Sequence, residues 1–292
     1  MADEEAFADL PAPPRAASHL APGLRPLVAV QFEQDRKAVL RRSIGYSGRY
    51  RVDDADADRR DQILRQSFAL DFAFAAFQRR VQDLMFGADA GFSSGGAFFD
   101  HIPRAAYFFG FNFTPAGDDW QKALFVLRRE SDRLRLYGIT KAELDLMRIS
   151  QKKALQTAVE RADTRPSGAL APQILSSIAS SYVFRHPVDH LADFERLADE
   201  IGTDDVMAAV SGLFHDGDDQ GLRQPLIFVR LPAPASDKID ETDVDPAGIV
   251  AAWEKAGDQK PPPWEMAARS DFAYQSFGPP GTVIMRGTVI MG

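Results

Sequence analysis

Cysteine is absent from the 292 residues, which removes disulfides, thiol nucleophiles and thiolate metal ligands together. Histidine is scarce, with His19, His101, His186, His190 and His215 the full set, so metal or general-base chemistry has few carriers. No basic block occurs, and 34 Lys+Arg against 42 Asp+Glu leave a net charge of -8. Phosphate backbones and anionic lipid are held by clustered Lys and Arg, so neither nucleic acid nor a membrane surface is an expected partner. No run approaches the roughly 18 apolar residues of a membrane span. The longest, such as Ala105-Ala106-Tyr107-Phe108-Phe109, are strand-sized. The opening Met-Ala-Asp-Glu-Glu is acidic where a secretory leader is basic and then apolar, so no export signal is expected in this chain.

What is present suffices for a core: 45% of residues are hydrophobic and 26% charged, close to the globular average. Residues 1–25, rich in Ala and Pro, read as an extended lead-in, with order starting near Leu27. Leu27 to Phe32 leans to strand, and Gly45 to Val52 carries a weak strand or loop signal. The acidic Asp53 to Asp58 opens a long helical pattern through Ile63, Leu64, Phe68, Phe72, Phe77, Val81 and Leu84 to Gly87, carboxylates at a helix start suiting its dipole. Phe92 to Phe99 and Ala105 to Thr114 read as adjacent strands, with Phe109, Phe111 and Phe113 alternating. The cluster of Phe68, Phe72, Phe74, Phe77, Phe108, Phe109, Phe111 and Phe113 is expected in a core or domain interface.

A helix from Trp120 stops at Gly138, and Thr140 with Glu143 forms a capping box that starts another, running to about Arg165. Shorter helices are expected at 169–184, 188–201 and 203–214, then a closing strand at 225–231. This order gives an α+β domain, a mixed β-sheet with helices stacked on one face. The expected domain spans 26–232. Residues 233–292 are expected to be linker and truncated connector, containing a short amphipathic piece (Ile249, Val250, Trp253) and ending in a tandem Gly-Thr-Val-Ile-Met.

Phe77-Gln78-Arg79-Arg80-Val81-Gln82-Asp83-Leu84 followed by Ala90 to Gly95, then Trp120 to Leu124, Arg133-Leu134, Tyr137 to Thr140, Glu143-Leu144, Ala158 to Arg165, Leu170-Ala171, His186-Pro187 and Glu200 to Val206, resembles in order and spacing the second-type domain of insulinase/pitrilysin-like zinc peptidases, the inverzincins. The likeness covers about residues 26–232, and Tyr274 to Gly281 resembles the connector before the second half of long bacterial members. It implies a mitochondrial-processing-peptidase-like metallohydrolase fold. It also implies a non-catalytic domain that packs beside a zinc-bearing domain or subunit, walls a chamber holding peptide substrate, and belongs to an exported parent, commonly periplasmic.

The family's zinc site is H-x-x-E-H on a helix with a further Glu about 75 residues on. No such motif occurs here. His186-Pro187-Val188-Asp189-His190 is the near miss, with Asp for Glu and with Glu265 lying 75 residues beyond His190. Its Pro and shortened base make a helix entry the expected role, so no metal ligand and no cofactor is assigned to this chain, zinc belonging to the partner domain. Gly91-Phe92-Ser93-Ser94-Gly95 fits G-x-S-x-G literally, with Asp100 and His101 following, yet its flanks read helix then strand, the reverse of a nucleophile elbow. The alternative to a non-catalytic half is a self-sufficient hydrolase using His186/Asp189/His190 with zinc, or Ser93. The resemblance also implies an Arg and Tyr pair that holds substrate backbone. Arg79 or Arg80 matches the first, and Phe92 stands where Tyr is expected, without the phenolic donor. Both arginines are otherwise expected to face solvent or pair with Asp83. The chain is not expected to be catalytic alone.

Overall fold

A computed structural model describes residues 16–20, 27–34, 56–87, 90–102, 106–116, 119–180, 182–216, 221–222, 225–231 and 246–265. Gly45 to Val52, the Pro-rich start before Ala16 and the duplicated C-terminus lie outside them. Helix α1, Ala57–Met85, starts where the Asp56 carboxylate accepts from the N–H groups of Asp58 (2.8 Å) and Arg59 (3.3 Å). The following strands are β3 (Phe92–Ile102) and β4 (Ala106–Pro115), paired antiparallel.

Helix α2, Trp120–Tyr137, is capped by Asp119, whose carboxylate accepts from Lys122 N–H at 2.9 Å. It ends at Gly138, where φ is +60°, a value glycine tolerates without strain. Two residues later the Thr140/Glu143 capping box opens α3, Lys141–Glu160. After a 3₁₀ turn at Ala162–Thr164 come α4 (Ser167–Ser180), α5 (Pro187–Leu197), a second 3₁₀ turn at Ala198–Glu200, and α6 (Thr203–Phe214).

Strands β1 (Ala16–Leu20), β2 (Leu27–Gln34) and β7 (Leu226–Leu231) join β3 and β4 in a sheet of order β1-β7-β2-β4-β3, in which β1 runs parallel to β7 and the other pairs are antiparallel. Strands β5 (His215–Asp216) and β6 (Gly221–Leu222) form a separate two-stranded ribbon. The architecture is therefore α+β, as expected. The sheet starts earlier than the sequence suggested: Ala16 to Leu20, read as lead-in, forms an edge strand because β7 offers it a partner more than 200 residues away, which local composition cannot reveal.

Side chains alternate across the sheet. Val28, Phe109, Phe111, Phe113, Ile227 and Val229 point to one face, all buried to 2% exposure or less. Helices pack on that face. Phe77 of α1 lies 4.5 Å from Phe111, Phe214 of α6 stands edge-on to Phe109 at 5.1 Å, and Phe92 stacks on Phe113 at 4.3 Å. Each fully buried Phe contributes roughly 1.5–3 kcal/mol, so this aromatic layer is a main reason that the sheet and helices form one body. Phe74 is only partly buried, and the side chain of Phe108 lies outside those described.

A further correction concerns the C-terminal side. Helix α7, Pro246–Gly257, buries Ile249 and Trp253 in the same core, and Ala256 of this helix is buried too. The backbone beyond it is strapped to α2: Arg133 Nε donates to the Pro262 carbonyl (2.8 Å) and the Tyr137 hydroxyl to that of Pro261 (3.0 Å). Residues 246–265 thus belong to the packed body, although 233–292 read as linker. Three prolines are compatible with the strap because an extended segment held through its carbonyls needs no N–H.

Candidate functional site

His186 is the N-cap of α5. With extended backbone (φ −73°, ψ 146°), its ring folds over the helix start, and Nδ1 accepts from Val188 N–H at 3.3 Å. Pro187 occupies the first helical position, where its missing N–H costs nothing. The zinc-binding arrangement needs both imidazoles on successive turns of one helix, whereas here the first lies outside it with one nitrogen engaged. Glu265 sits exposed at the end of the strap. Among the described residues no group of three or more His, Asp or Glu converges on a point that could hold a metal. The donor set at His186/Asp189/His190 does not fit zinc.

Ser93 lies at the start of β3, preceded by a turn at Gly91 (φ +74°). Its hydroxyl donates to the Thr114 carbonyl at 3.4 Å, and Ser94 donates to Thr114 Oγ1 at 2.9 Å. Both serines therefore lace an edge strand to its neighbour in the helix-then-strand setting anticipated above. The side chains of Asp100 and His101 lie outside those described.

The two arginines part company. Arg79 is half exposed and stands 4.0 Å from Asp83, one turn on. Arg80, expected at the surface, is buried. Its Nε and Nη2 donate to Glu143 Oε1 and Oε2 at 2.7 and 2.8 Å, and Nη2 also donates to the Gly138 carbonyl at 3.0 Å. Both side chains are 2% exposed. Burial alone would raise the Glu143 carboxyl, but the hydrogen bonds and charge of Arg80, with the N–H and hydroxyl of Thr140, outweigh it and hold the group below its ordinary 4.5. Arg80 Nη1 has no hydrogen-bond partner. The Trp264 ring lies 5.4 Å from the Arg80 guanidinium and 5.3 Å from that of Arg133, so the strap ends on two cations. The sequence carried a signal for this: Arg80 falls on the buried stripe Ala73, Ala76, Phe77, where a charge requires a buried partner. Phe92 is buried against Phe113 and offers a substrate no polar group.

Among the described residues, no helix covers the second face of the sheet. Leu27 and Ala29 of β2, Phe98 of β3, Asn112 of β4, and Leu226 and Phe228 of β7 line a concavity of about 290 Å³ there. All six are half-buried, and the helices that bury apolar side chains do so on the other face. Strand β3 forms one margin of this surface and is an edge of the sheet. Gln78 Nε2 of α1 donates to the Gly95 carbonyl at 3.0 Å, fixing that edge to the helix beneath. A second concavity, about 610 Å³, runs between α1 and α6 past Gln62, Gln66, Asp205 and Ala209, and is crossed by the Arg65–Glu200 ion pair. Nearby, Asp61 is held below its ordinary range by a hydrogen bond from Arg196.

This sheet-and-helix arrangement is the insulinase/M16-like peptidase fold. It superposes on the first half of the periplasmic protease PqqL from Escherichia coli with a TM-score of 0.65 at 16% identity, covering 86% of this chain and 48% of that one. The longer PqqL structure gives 0.67 at 16% identity, covering 89% of this chain and 26% of that one. A predicted insulinase family protease from Yersinia pestis gives 0.61 at 12% identity over 84% of this chain and 46% of that one. The chain thus spans about half the length of the first and about a quarter of the second. No protein-family model and no curated protein matches the sequence. The resemblance read from residues 26–232 is borne out at the level of fold.

Proposed function

We propose that the chain is a non-catalytic, chamber-forming domain of an insulinase-like zinc metallopeptidase, pairing with a zinc-bearing domain or subunit to enclose peptide substrates. The observation that carries this reading is the apolar concave sheet face of Leu27, Ala29, Phe98, Leu226 and Phe228 beside an edge strand. An edge strand can accept an extended peptide through its backbone, and an apolar wall beside it suits alternate side chains of that peptide. Zinc, general base and nucleophilic water belong to the partner, since this sequence has no H-x-x-E-H. Of the three residues implied in substrate contact, Arg79 is the one with a free surface. Arg80 and Phe92 stiffen the wall from within. The periplasmic location named for PqqL is carried over as part of the same proposal, and no described helix is long and apolar enough to cross a membrane.

The test measures zinc content and turnover of a fluorogenic peptide library for the chain alone and for the chain co-expressed with a zinc-bearing domain. The chain alone is expected to retain no stoichiometric zinc and to cleave nothing. The complex cleaves, and Phe98→Asp or Phe228→Asp lowers its kcat/KM at least tenfold. Stoichiometric zinc that disappears in His190→Ala, or turnover by the isolated chain, overturns the proposal.

A further inference from the structure

Beyond α7 the chain runs back along α2 as Lys260-Pro261-Pro262-Pro263-Trp264, and the contacts it makes there suit a proline-rich strand. Arg133 and Tyr137 stand one turn apart on α2. The Tyr137 hydroxyl donates to the Pro261 carbonyl at 3.0 Å, and Arg133 Nε to the Pro262 carbonyl at 2.8 Å. Lys260 Nζ lies 5.6 Å from the centre of the Tyr137 ring, so this tyrosine meets the strap with its face and its hydroxyl together. Trp264 closes the other end against the guanidiniums of Arg80 and Arg133. Pro261 is buried and Trp264 half-buried, while Pro262 and Pro263 face solvent. Prolines have fixed φ and no N–H, so such a segment loses little conformational freedom on docking and asks its bed chiefly for donors to its carbonyls. Grooves lined by aromatic side chains use the same chemistry to hold polyproline segments.

The bed beneath the strap is complete without it. Glu130, Asp132 and Arg133 are buried on α2, yet Glu130 pairs with Arg129 and Arg133, and Asp132 with Arg128 and Arg135. Arg80 is held by Glu143. Lifting the strap leaves each of these charges its partner, and frees two donors that water can serve. A surface of self-paired ions is that of a separable interface rather than of a core. We infer that the α2 face bounded by Tyr137, Arg133 and Arg80 is a docking groove for an extended proline-rich peptide, and that the chain fills it with its own 260–264 segment. The ligand it selects offers two consecutive proline carbonyls and an aromatic residue two positions after the second, as Pro261, Pro262 and Trp264 do. The strap is then a displaceable plug, and a segment of that chemistry in another polypeptide takes the same groove when the plug yields. This inference stands apart from the chamber proposal, which concerns the open sheet face.

Trp264→Ala in the full chain removes the anchor of the plug and leaves α2 untouched. A fluorescein-labelled peptide of residues 259–265, read by fluorescence anisotropy, is expected to bind this variant. It binds the parent roughly tenfold more weakly or worse, because a tethered plug competes at an effective concentration of order millimolar. Adding Tyr137→Phe to the variant weakens binding about fivefold through the one lost donor, and a peptide carrying Pro261→Ala/Pro262→Ala is also bound more weakly. Should Trp264→Ala not fold, the parent chain labelled with fluorotryptophan supplies a second reading. Excess unlabelled peptide moves the Trp264 fluorine resonance to its solvent-exposed position, while Trp120 and Trp253, both buried, stay as they were. No binding to the variant, equal binding to variant and parent, binding indifferent to Tyr137→Phe or to the peptide's prolines, or an unmoved Trp264 resonance overturns the inference.

Discussion

Arg80 and Glu143, 63 positions apart, form a two-pronged ion pair with both side chains withdrawn from solvent. Because Glu143 is also the third helical residue of the Thr140 capping box, the same carboxylate ends one problem and starts another: it neutralises a charge on α1 and accepts from the Thr140 N–H at 2.8 Å. Removing one partner of a buried pair strands the other. Arg80→Ala is expected to cost about 3–5 kcal/mol in urea unfolding. Arg80→Met/Glu143→Gln, which leaves no lone charge and keeps a residue suited to the box, recovers part of that loss.

The pair also sets an acid limit. Glu143 is held below its ordinary 4.5 in the folded chain, so its contribution is complete above 4.5 and is lost as pH falls through the lowered folded value. Unfolding free energy measured from neutral pH downward is expected to drop less steeply in Glu143→Gln than in the parent chain. An equal slope would assign the acid limb to other carboxylates. In Arg80→Ala the Glu143 carboxyl moves up, since burial is then unopposed by the guanidinium.

Two glycines should respond oppositely to alanine. A Cβ at Gly95 would lie 2.2 Å from the Phe113 ring and 2.8 Å from the Asn112 carbonyl oxygen, so Gly95→Ala forces the β3–β4 pair apart and is expected to cost about 1–3 kcal/mol. Gly168 has nothing within 4 Å of its would-be Cβ and sits in α4, so Gly168→Ala stabilises by about 0.5–1 kcal/mol. Thermal melts of the two variants against the parent read both signs.

The strap predicts a fluorescence signature. Trp264 between the Arg80 and Arg133 guanidiniums, at 5.4 and 5.3 Å, loses these contacts if the strap detaches. Arg133→Ala removes one cation and the donor to the Pro262 carbonyl together, and is expected to shift Trp264 emission to the red and to make the peptide bonds around 258–265 protease-sensitive before global unfolding. Arg133→Lys, lacking the planar fork that also holds both Glu130 oxygens, gives an intermediate effect.

Elements with a strong local signal were legible. The acidic helix start at Asp53 to Asp58, the Thr140 cap, the alternating Phe109, Phe111 and Phe113, and the stop at Gly138 each encode their structure within a few residues. What escaped the sequence was set at long range. β1 is a strand because of β7; α7 belongs to the body because α2 offers Arg128 and the core a place for Trp253, the guanidinium lying 4.2 Å from its ring. Arg80 lies on the buried stripe of its helix, yet its partner Glu143 is 63 positions away and already has a complete local role in the cap, so the pairing is not stated by the sequence. At the candidate site, the zinc-motif near miss and the literal G-x-S-x-G are local devices, His186 closing a helix start and Ser93 lacing two strands. The open sheet face was invisible because its residues alternate with those of the core along strands whose pairing the sequence does not state.

The place of β7 between β1 and β2 also orders events in time. At roughly 5–20 residues per second of synthesis, Ala16–Leu20 is complete on the order of 10–40 s before its pairing partner at Leu226–Leu231 is translated. The N-terminal strand must therefore wait unpaired beside the ribosome, and β2 with it holds only β4. Until then β1 has no partner and β2 presents an unpaired edge, and the last strand to appear closes both gaps at once.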